Sequence, residues 1–177
     1  MFVVFGKSGS GKTTLMNRLQ EFSDLGIVVG REYTTRPARY ADDDAYHFVS
    51  NEEYQHLRLG GKVSAHFERV VDGDIWKYGV PVDALKPNYV VVTNPSACEQ
   101  LRTVTDVNAI YLDIDTMDLF NRSLKRGDRL GDVCQRCSDD KNDFDRISAE
   151  LVITAMPPED VARKAADFVK EVLCREK

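Results

Sequence analysis

GKSGSGKTTL, residues 6–15, follows the apolar run MFVVF at residues 1–5. Gly6 to Thr13 fit the pattern G-x-x-x-x-G-K-[ST]. Glycines at 6, 9 and 11 let the backbone turn so that several N–H groups point inward. Together with Ser8, Ser10, Thr14 and the N-terminus of the following helix, they offer partial positive charge to phosphates. Lys12 reaches the outer phosphates, and the Thr13 hydroxyl is the expected Mg²⁺ ligand. The pattern requires a buried strand before it and a helix after it. Phe2–Phe5 reads as that strand. Thr13–Phe22 reads as that helix, with Leu15, Leu19 and Phe22 on one face. A cradle of this kind suits a kinase, a GTPase, an ATPase motor or a DNA-processing machine, so the choice needs a second site.

Outward from the loop, strand and helix patterns alternate, which implies a parallel sheet flanked by helices. Gly26–Gly30 reads as a short strand. Ser50 and Glu53 form a capping box that opens a short helix ending near Gly60-Gly61. Tyr89–Thr93 reads as a strand buried on both faces, and Ser96 to Glu99 as a second capping box. A strand is expected at Ala109–Ile114, a helix at Thr116–Lys125 and a last strand at Leu151–Thr154. Pro157-Pro158 opens a final helix whose inward stripe is Val161, Ala165, Phe168, Val169 and Val172. Two segments break the alternation. Residues 31–78 carry more strand than helix pattern and read as an insert. Residues 126–136 are polar, basic and glycine-containing and read as a flap.

The totals bound the partners. The chain has 177 residues, 42 % of them hydrophobic, which favours one domain with a real core. A net charge of −5 argues against charge-driven binding to nucleic acid. No apolar run approaches the ~20 residues of a membrane span. Gly6 and Lys7 interrupt the N-terminal apolar stretch, so a cytoplasmic protein is expected. Cys134 and Cys137 form one CxxC without the partners a structural zinc site needs, and with Cys98 and Cys174 they read as reduced thiols. A redox pair is the alternative. The oligomeric state is not legible.

A second anion site is written in Glu32-Tyr-Thr-Thr-Arg-Pro-Ala-Arg39. A monophosphate approaching a γ-phosphate needs its charge compensated, and arginine forks do this with bidentate, charge-assisted hydrogen bonds. Arg36 and Arg39 are the candidate clamp, helped by Tyr33, Tyr46 and Tyr78. The bland alternative is that these arginines pair with Asp42, Asp43 and Asp44. The flap region carries Arg122, Arg126, Arg129 and Arg136. A closing arginine there would neutralise the moving phosphoryl group as water leaves.

These residues resemble the guanylate kinase family of nucleoside monophosphate kinases, over nearly the whole chain. GKSGSGKTTL matches the loop. YTTRPARYADDDAYHFVSNEEY is similar to the family's S-x-T-T-R-x-x-R-x-x-E…Y-H-F-V element, which holds the acceptor monophosphate. KYG at 77–79 looks like the end of its N-Y-Y-G element. Arg122 and Arg126-Gly127 look like R-L-x-x-R-G at the lid, with Arg136 one residue early for the later lid arginine. The resemblance implies a three-layer α/β/α P-loop kinase with a parallel core sheet, a small β-rich monophosphate-binding insert at 31–80 and a lid at 126–136. It implies ATP-dependent, Mg²⁺-assisted phosphoryl transfer to a nucleoside monophosphate, with GMP or dGMP leading. Lys12, Arg126 and Arg136 would be catalytic, and Arg122 would hold ATP.

The chain departs from the family at several points. Asp42 stands for the glutamate, and Thr93-Asn94 for an acidic pair. The family reads guanine with a carboxylate on the strand before N-Y-Y-G. Here Ser64, His66 and Glu68 share one strand face, Glu68 is the one carboxylate on it, and its spacing to Tyr78 is off by one. These three are the expected base readers. Ser64 and His66 would suit a pyrimidine, and Trp76 either stacks on a base or packs in the insert. Alternatives are a kinase for a deoxypyrimidine or modified nucleotide or a sugar phosphate, and a non-catalytic binding module of the same fold.

Overall fold

The computed structural model describes residues 1–38, 43, 45–71, 73–125, 127, 129–144 and 147–175, the side chains at 132, 136, 139, 141 and 142 excepted. The first strand, β1 (Phe2–Gly6), is buried at all five positions. Its alternating side chains feed two cores. Phe2 and Val4 pack with Leu15 and Leu19 of α1 (Lys12–Leu19) and with Val169 of the C-terminal helix. Val3 and Phe5 point the other way, into a cluster with Ala97 and Leu101. A strand apolar on both faces needs cover on both faces, which gives three layers.

The core sheet is wholly parallel. Beyond β1 it contains β2 (Val28–Gly30), then the later strands Tyr89–Val92, Asn108–Leu112 and Leu151–Ile153. Between β2 and Tyr89 the chain builds a second sheet. It consists of β3 (Tyr33–Thr34), β4 (His47–Phe48), β5 (Val63–Val71) and β6 (Asp74–Pro81), with α2 (Asn51–Leu59) between β4 and β5. Its order is β4-β3-β6-β5, and β5–β6 is an antiparallel hairpin that turns at Gly73, φ 86°. Numbered on, the core strands are β7 (Tyr89–Val92), β8 (Asn108–Leu112) and β9 (Leu151–Ile153), in the order β2-β7-β1-β8-β9. Helices α3 (Pro95–Arg102), α4 (Thr116–Lys125), α5 (Leu130–Asp143) and α6 (Pro158–Arg175) complete the described chain.

Two local contacts set the small sheet in place. Gln100 of α3 donates to His66 O at 2.8 Å and accepts from His66 N–H at 3.1 Å. A side-chain amide thus takes the place of a neighbouring strand along the edge strand β5. On the other side, Tyr54 of α2 is 1 % exposed and donates its hydroxyl to Tyr78 O at 2.6 Å. Gly79 makes that approach possible: a Cβ there would lie 2.9 Å from the Tyr54 hydroxyl and 2.7 Å from Val63 Cγ1.

Several expectations shift. The Ser50–Glu53 capping box is present in both directions. The one expected at Ser96 is not; α3 begins at Pro95, and Asn94 Oδ1 accepts the Ala97 N–H at 2.8 Å. Proline's fixed φ suits the first helical position, so the helix starts there and the preceding asparagine caps it, at a value of about 1 kcal/mol. The flap sequence runs on into the 14-residue α5. Its polar composition offered no apolar stripe; among its described side chains only Val133 and Asp140 are buried. In α6 the fully buried set is Ala162, Ala165, Ala166, Val169 and Val172, with Val161 and Phe168 partly buried beside it.

Candidate active site

Parallel sheets bind ligands at the carboxyl ends of their strands. Here β1, β2 and β7 end at a cavity of about 630 Å³ that also reaches the small sheet, α4 and the start of α6. The loop from Gly6 to Thr13 forms its floor, and Thr14 also lines it. Gly9 and Gly11 have φ of 83° and 97°, a region costly for other residues. Gly6 is needed for another reason: a Cβ would sit 2.6 Å from Ser10 Oγ and 2.9 Å from Leu112 O. No side chain caps α1. Its first N–H groups are therefore free of a capping oxygen at the point where an anion would lie.

Lys12 donates from Nζ to Gly6 O at 2.5 Å and Lys7 O at 2.9 Å. Burial lowers its pKa to about 8; Asp140 works against that shift and Arg69 adds to it. Asp140 comes from α5 and is 3 % exposed. Its Oδ2 accepts the Ser8 N–H at 2.7 Å, and its Oδ1 lies 3.6 Å from the Arg69 guanidinium without a hydrogen bond. Arg69 also reaches Asp143 of the same helix at 3.3 Å. A carboxylate of α5 therefore holds a loop N–H, as a bound anion would. Asp140→Asn removes that competing charge beside the loop. It is expected to tighten ATP–Mg²⁺ binding about fivefold, equivalent to about 1 kcal/mol. Calorimetric titration measures this, and unchanged or weaker binding would show that Asp140 supports the loop rather than competes for it.

The second anion site faces the first. Arg36 is 5 % exposed and lines the cavity. Its guanidinium donates to Asp43 Oδ2 at 3.0 Å and Pro37 O at 3.2 Å, with the rings of Tyr46 and Phe48 centred 5.1 and 5.3 Å away. The pairing with Asp43 that the sequence left as the bland alternative is thus real, and Arg36 still borders the cavity. The flanking hydroxyls serve the backbone. Thr34 Oγ1 donates to Lys77 O and accepts from the Arg36 N–H, and Thr35 Oγ1 accepts the Lys77 N–H. Tyr46 and Tyr78 line the cavity; Tyr78 stacks on Phe67 with centroids 4.7 Å apart and planes within 4°. Tyr33 is turned to His47, ring centroids 5.5 Å apart, and is not among the lining residues.

The expected base readers are elsewhere. On β5 the cavity is lined by Phe67 and Arg69, whose cross-strand partners are Tyr78 and Trp76. Ser64, His66 and Glu68 alternate with them and lie on the opposite face. Ser64 Oγ donates to Val80 O at 3.0 Å, and His66 Nε2 sits 2.9 Å from Arg58 of α2. Burial lowers the His66 pKa and Arg58 lowers it further. Glu68 is exposed. The polar face of an edge strand reads as ligand-facing in sequence, but here the apolar face turns to the cavity.

Of the remaining expected residues, Gly6, Ser8, Gly9, Ser10, Gly11, Lys12, Thr13, Thr14 and Arg122 line the cavity, and Lys125 joins them. Arg39 and Arg126 lie outside the described residues. Arg136 lies in α5, and its side chain is likewise outside them. Sequence reading missed Glu32, Phe67, Arg69 and Asp140. Glu32 stood inside the quoted arginine-rich stretch, 3 % exposed and at the cavity wall. Burial pushes its pKa up to about 8, against the neighbouring Thr93 hydroxyl and Arg69, which lower it. Among the described residues no group of three or more His, Cys, Asp or Glu could hold a metal ion, and no helix is long and apolar enough to cross a membrane.

No family model matches the chain. A guanylate kinase of Anaplasma phagocytophilum is 38 % identical over 90 residues, 50 % of this chain and 41 % of that protein. One of Schizosaccharomyces pombe is 49 % identical over 59 residues, 31 % of this chain and 28 % of that protein. The matches thus span less than half the length of these curated relatives. Among solved structures, the guanylate kinase from Anaplasma phagocytophilum superposes with a TM-score of 0.68 over 97 % of this chain and 84 % of its own, at 24 % identity. A gluconokinase from Sinorhizobium meliloti 1021 gives 0.55 over 97 % and 91 %, at 14 % identity. With its strand order, its loop and these likenesses, the chain has the fold of a guanylate kinase-like P-loop kinase.

Proposed function

We propose that the chain is a phosphotransferase that moves the γ-phosphoryl group of ATP to a nucleoside monophosphate, with GMP or dGMP as the leading acceptor. The observation that carries this is one cavity bordered by both the Gly6–Thr13 loop and Arg36. Lys12 and the loop N–H groups hold the β- and γ-phosphates. Arg36, with Tyr46 and Tyr78 around it, orients the acceptor phosphate toward them, and the small sheet at 31–80 carries this half. Arg122 and Lys125 of α4 add positive charge over the donor, and residues 126–136 act as the lid. Mg²⁺ suits the oxygen donors here: Thr13 lines the cavity, and among the described residues carboxylates do not build a cage, so the ion would arrive with the nucleotide and water. Bound there, it neutralises the charge of the triphosphate. No general base is needed, because the acceptor oxygen is already ionised near pH 7. Positioning and charge compensation then supply the rate.

The test is an acceptor panel. ADP release from ATP–Mg²⁺ is followed with GMP, dGMP, dTMP, dCMP, ribose 5-phosphate and gluconate in turn. Turnover highest with a guanine monophosphate is expected. Turnover with gluconate or a sugar phosphate alone would replace the proposal with a sugar kinase. None with any acceptor would replace it with a binding module.

A further inference from the structure

Asp140 is surrounded as a phosphoryl group would be. Its Oδ2 takes the Ser8 N–H of the phosphate loop at 2.7 Å. Its Oδ1 is buried without a hydrogen-bond partner among the described residues and lies 3.6 Å from the Arg69 guanidinium. The Lys12 ammonium is close enough for both charges to act on it, Asp140 in one sense and Arg69 in the other. A loop N–H, the loop lysine and a guanidinium therefore converge on a flat group of negatively charged oxygens. A phosphoryl group in flight between two oxygens has the same character: it is planar, with its negative charge spread over equatorial oxygens.

Arg69 is the informative member of this set. Ser8 and Lys12 belong to the loop, whereas Arg69 comes from β5 of the small sheet and reaches across to it. It lines the cavity on the same face of β5 as Phe67, and its charge acts on Tyr78 of the small sheet as well as on Lys12. A guanidinium carries five N–H donors. Among the described residues this one makes a single hydrogen bond, to Asp143 Oδ2 at 3.3 Å. Asp143 lies one helical turn beyond Asp140 in α5 and is exposed. Arg69 is thus tethered at the rim and aimed at Asp140 without being seated on it. Its side chain is 30 % exposed, so it can change partner without leaving a buried position.

We propose that Arg69 is a catalytic arginine of the transfer step: the moving phosphoryl group takes the place of the Asp140 carboxylate between Ser8 and Arg69 and meets the guanidinium there. This rests on the chain being an ATP-dependent phosphotransferase. In the step, the bond from the γ-phosphorus to its bridging oxygen breaks and the electron pair leaves with ADP. An ionised oxygen of the acceptor phosphate forms the new bond, and no proton moves. Negative charge shifts among the oxygens between the two anion sites as this happens. A guanidinium anchored on a strand of the small sheet is already oriented toward that charge, so little is spent on reorganisation. Asp143 is a positioning residue that keeps Arg69 within reach before substrates arrive.

The experiment measures kcat, acceptor KM and the ATP–Mg²⁺ dissociation constant with the best acceptor of the panel, in wild type, Arg69→Ala, Arg69→Lys and Asp143→Asn. Calorimetry adds the binding of ADP with aluminium fluoride, a stand-in for the moving group, in the presence of acceptor. Arg69→Ala is expected to lower kcat about 10²-fold and to weaken the aluminium fluoride complex by a similar factor. ATP–Mg²⁺ dissociation should stay within about threefold, because the contact forms only as the group moves. Guanidinium ion added at low concentration should restore kcat of Arg69→Ala about tenfold, which a role in holding the fold would not allow. Arg69→Lys keeps the charge without the fork and should fall between wild type and Arg69→Ala. Asp143→Asn should leave kcat within about threefold, since it removes only the tether. The proposal is overturned if Arg69→Ala raises acceptor KM with kcat intact, which would make Arg69 a binding contact. It is equally overturned if Asp143→Asn reproduces the loss of kcat and guanidinium ion restores nothing, which would make the ion pair structural. If Arg69→Ala does not melt cooperatively, Arg69→Lys decides by kcat and the aluminium fluoride complex. Absence of turnover in wild type with every acceptor would instead sink the phosphotransferase reading, and the wild-type arm alone reveals that failure.

Discussion

Lys12→Met abolishes most of the activity: kcat is expected to fall about 10²- to 10³-fold, the cost of removing one preorganised charge from a transferring group. The ammonium is held by two carbonyls of its own loop, Gly6 O and Lys7 O, so it is fixed before any ligand arrives. Methionine keeps the length and the apolar stem and loses the charge. A larger effect on kcat than on the ATP–Mg²⁺ dissociation constant would place Lys12 on the moving phosphoryl group; equal losses would make it a ground-state contact. The same residue gives a pH signature in the free protein. Its folded pKa of about 8 lies below the ordinary lysine value of 10.5, so between these values the unfolded chain binds more protons. Wild-type stability therefore gains from this residue as pH rises from about 8 to about 10.5. Melting curves across that window should flatten in Lys12→Met.

What made Lys12 legible was local. Gly6, Gly11 and Lys12 sit at fixed spacing between a buried strand and a helix, and a loop of that length has few ways to close. The same holds for the Ser50–Glu53 box, whose hydrogen bonds span three residues. The alternation of core strands and helices was likewise readable, because burial on both faces of a strand leaves a continuous apolar run, as in Val90–Val92.

What failed was long-range. Which face of β5 meets the cavity depends on α2 and α3 packing on its two sides, through Arg58 with His66 and Gln100 with the His66 backbone. Neither pairing leaves a mark in the strand's own pattern, and polarity pointed to the wrong side. Asp140 was invisible for a similar reason: 132 residues separate it from Ser8, and α5 is too polar to announce an inward face. Asn94 shows the converse. At the end of β7 it invited comparison with an acid, but the adjacent Pro95 recruits it as a helix cap. That leaves Glu32, from the link between β2 and β3, as a carboxyl at this wall.

Arg36→Ala separates the two anion sites. Acceptor KM is expected to rise about 10²-fold or more, since a bidentate arginine–phosphate contact is worth about 1.5–3 kcal/mol per bond. ATP–Mg²⁺ binding should stay within about threefold, because among the described contacts Arg36 touches Asp43, Pro37, Tyr46 and Phe48 and none of the loop. The guanidinium is also structural, so the variant should melt at lower temperature: the Asp43 side chain, 3 % exposed, loses the partner at 3.0 Å. Asp43→Asn resolves the ambiguity. It breaks the same ion pair while leaving the guanidinium in place and less neutralised. If Arg36 clamps the acceptor phosphate, Asp43→Asn lowers the melting temperature without raising acceptor KM. If the ion pair acts only by holding the fold of the small sheet, both variants raise KM together. Arg36→Lys then measures the fork itself: a point charge retains steering but not the bidentate geometry, and acceptor KM should fall between wild type and Arg36→Ala.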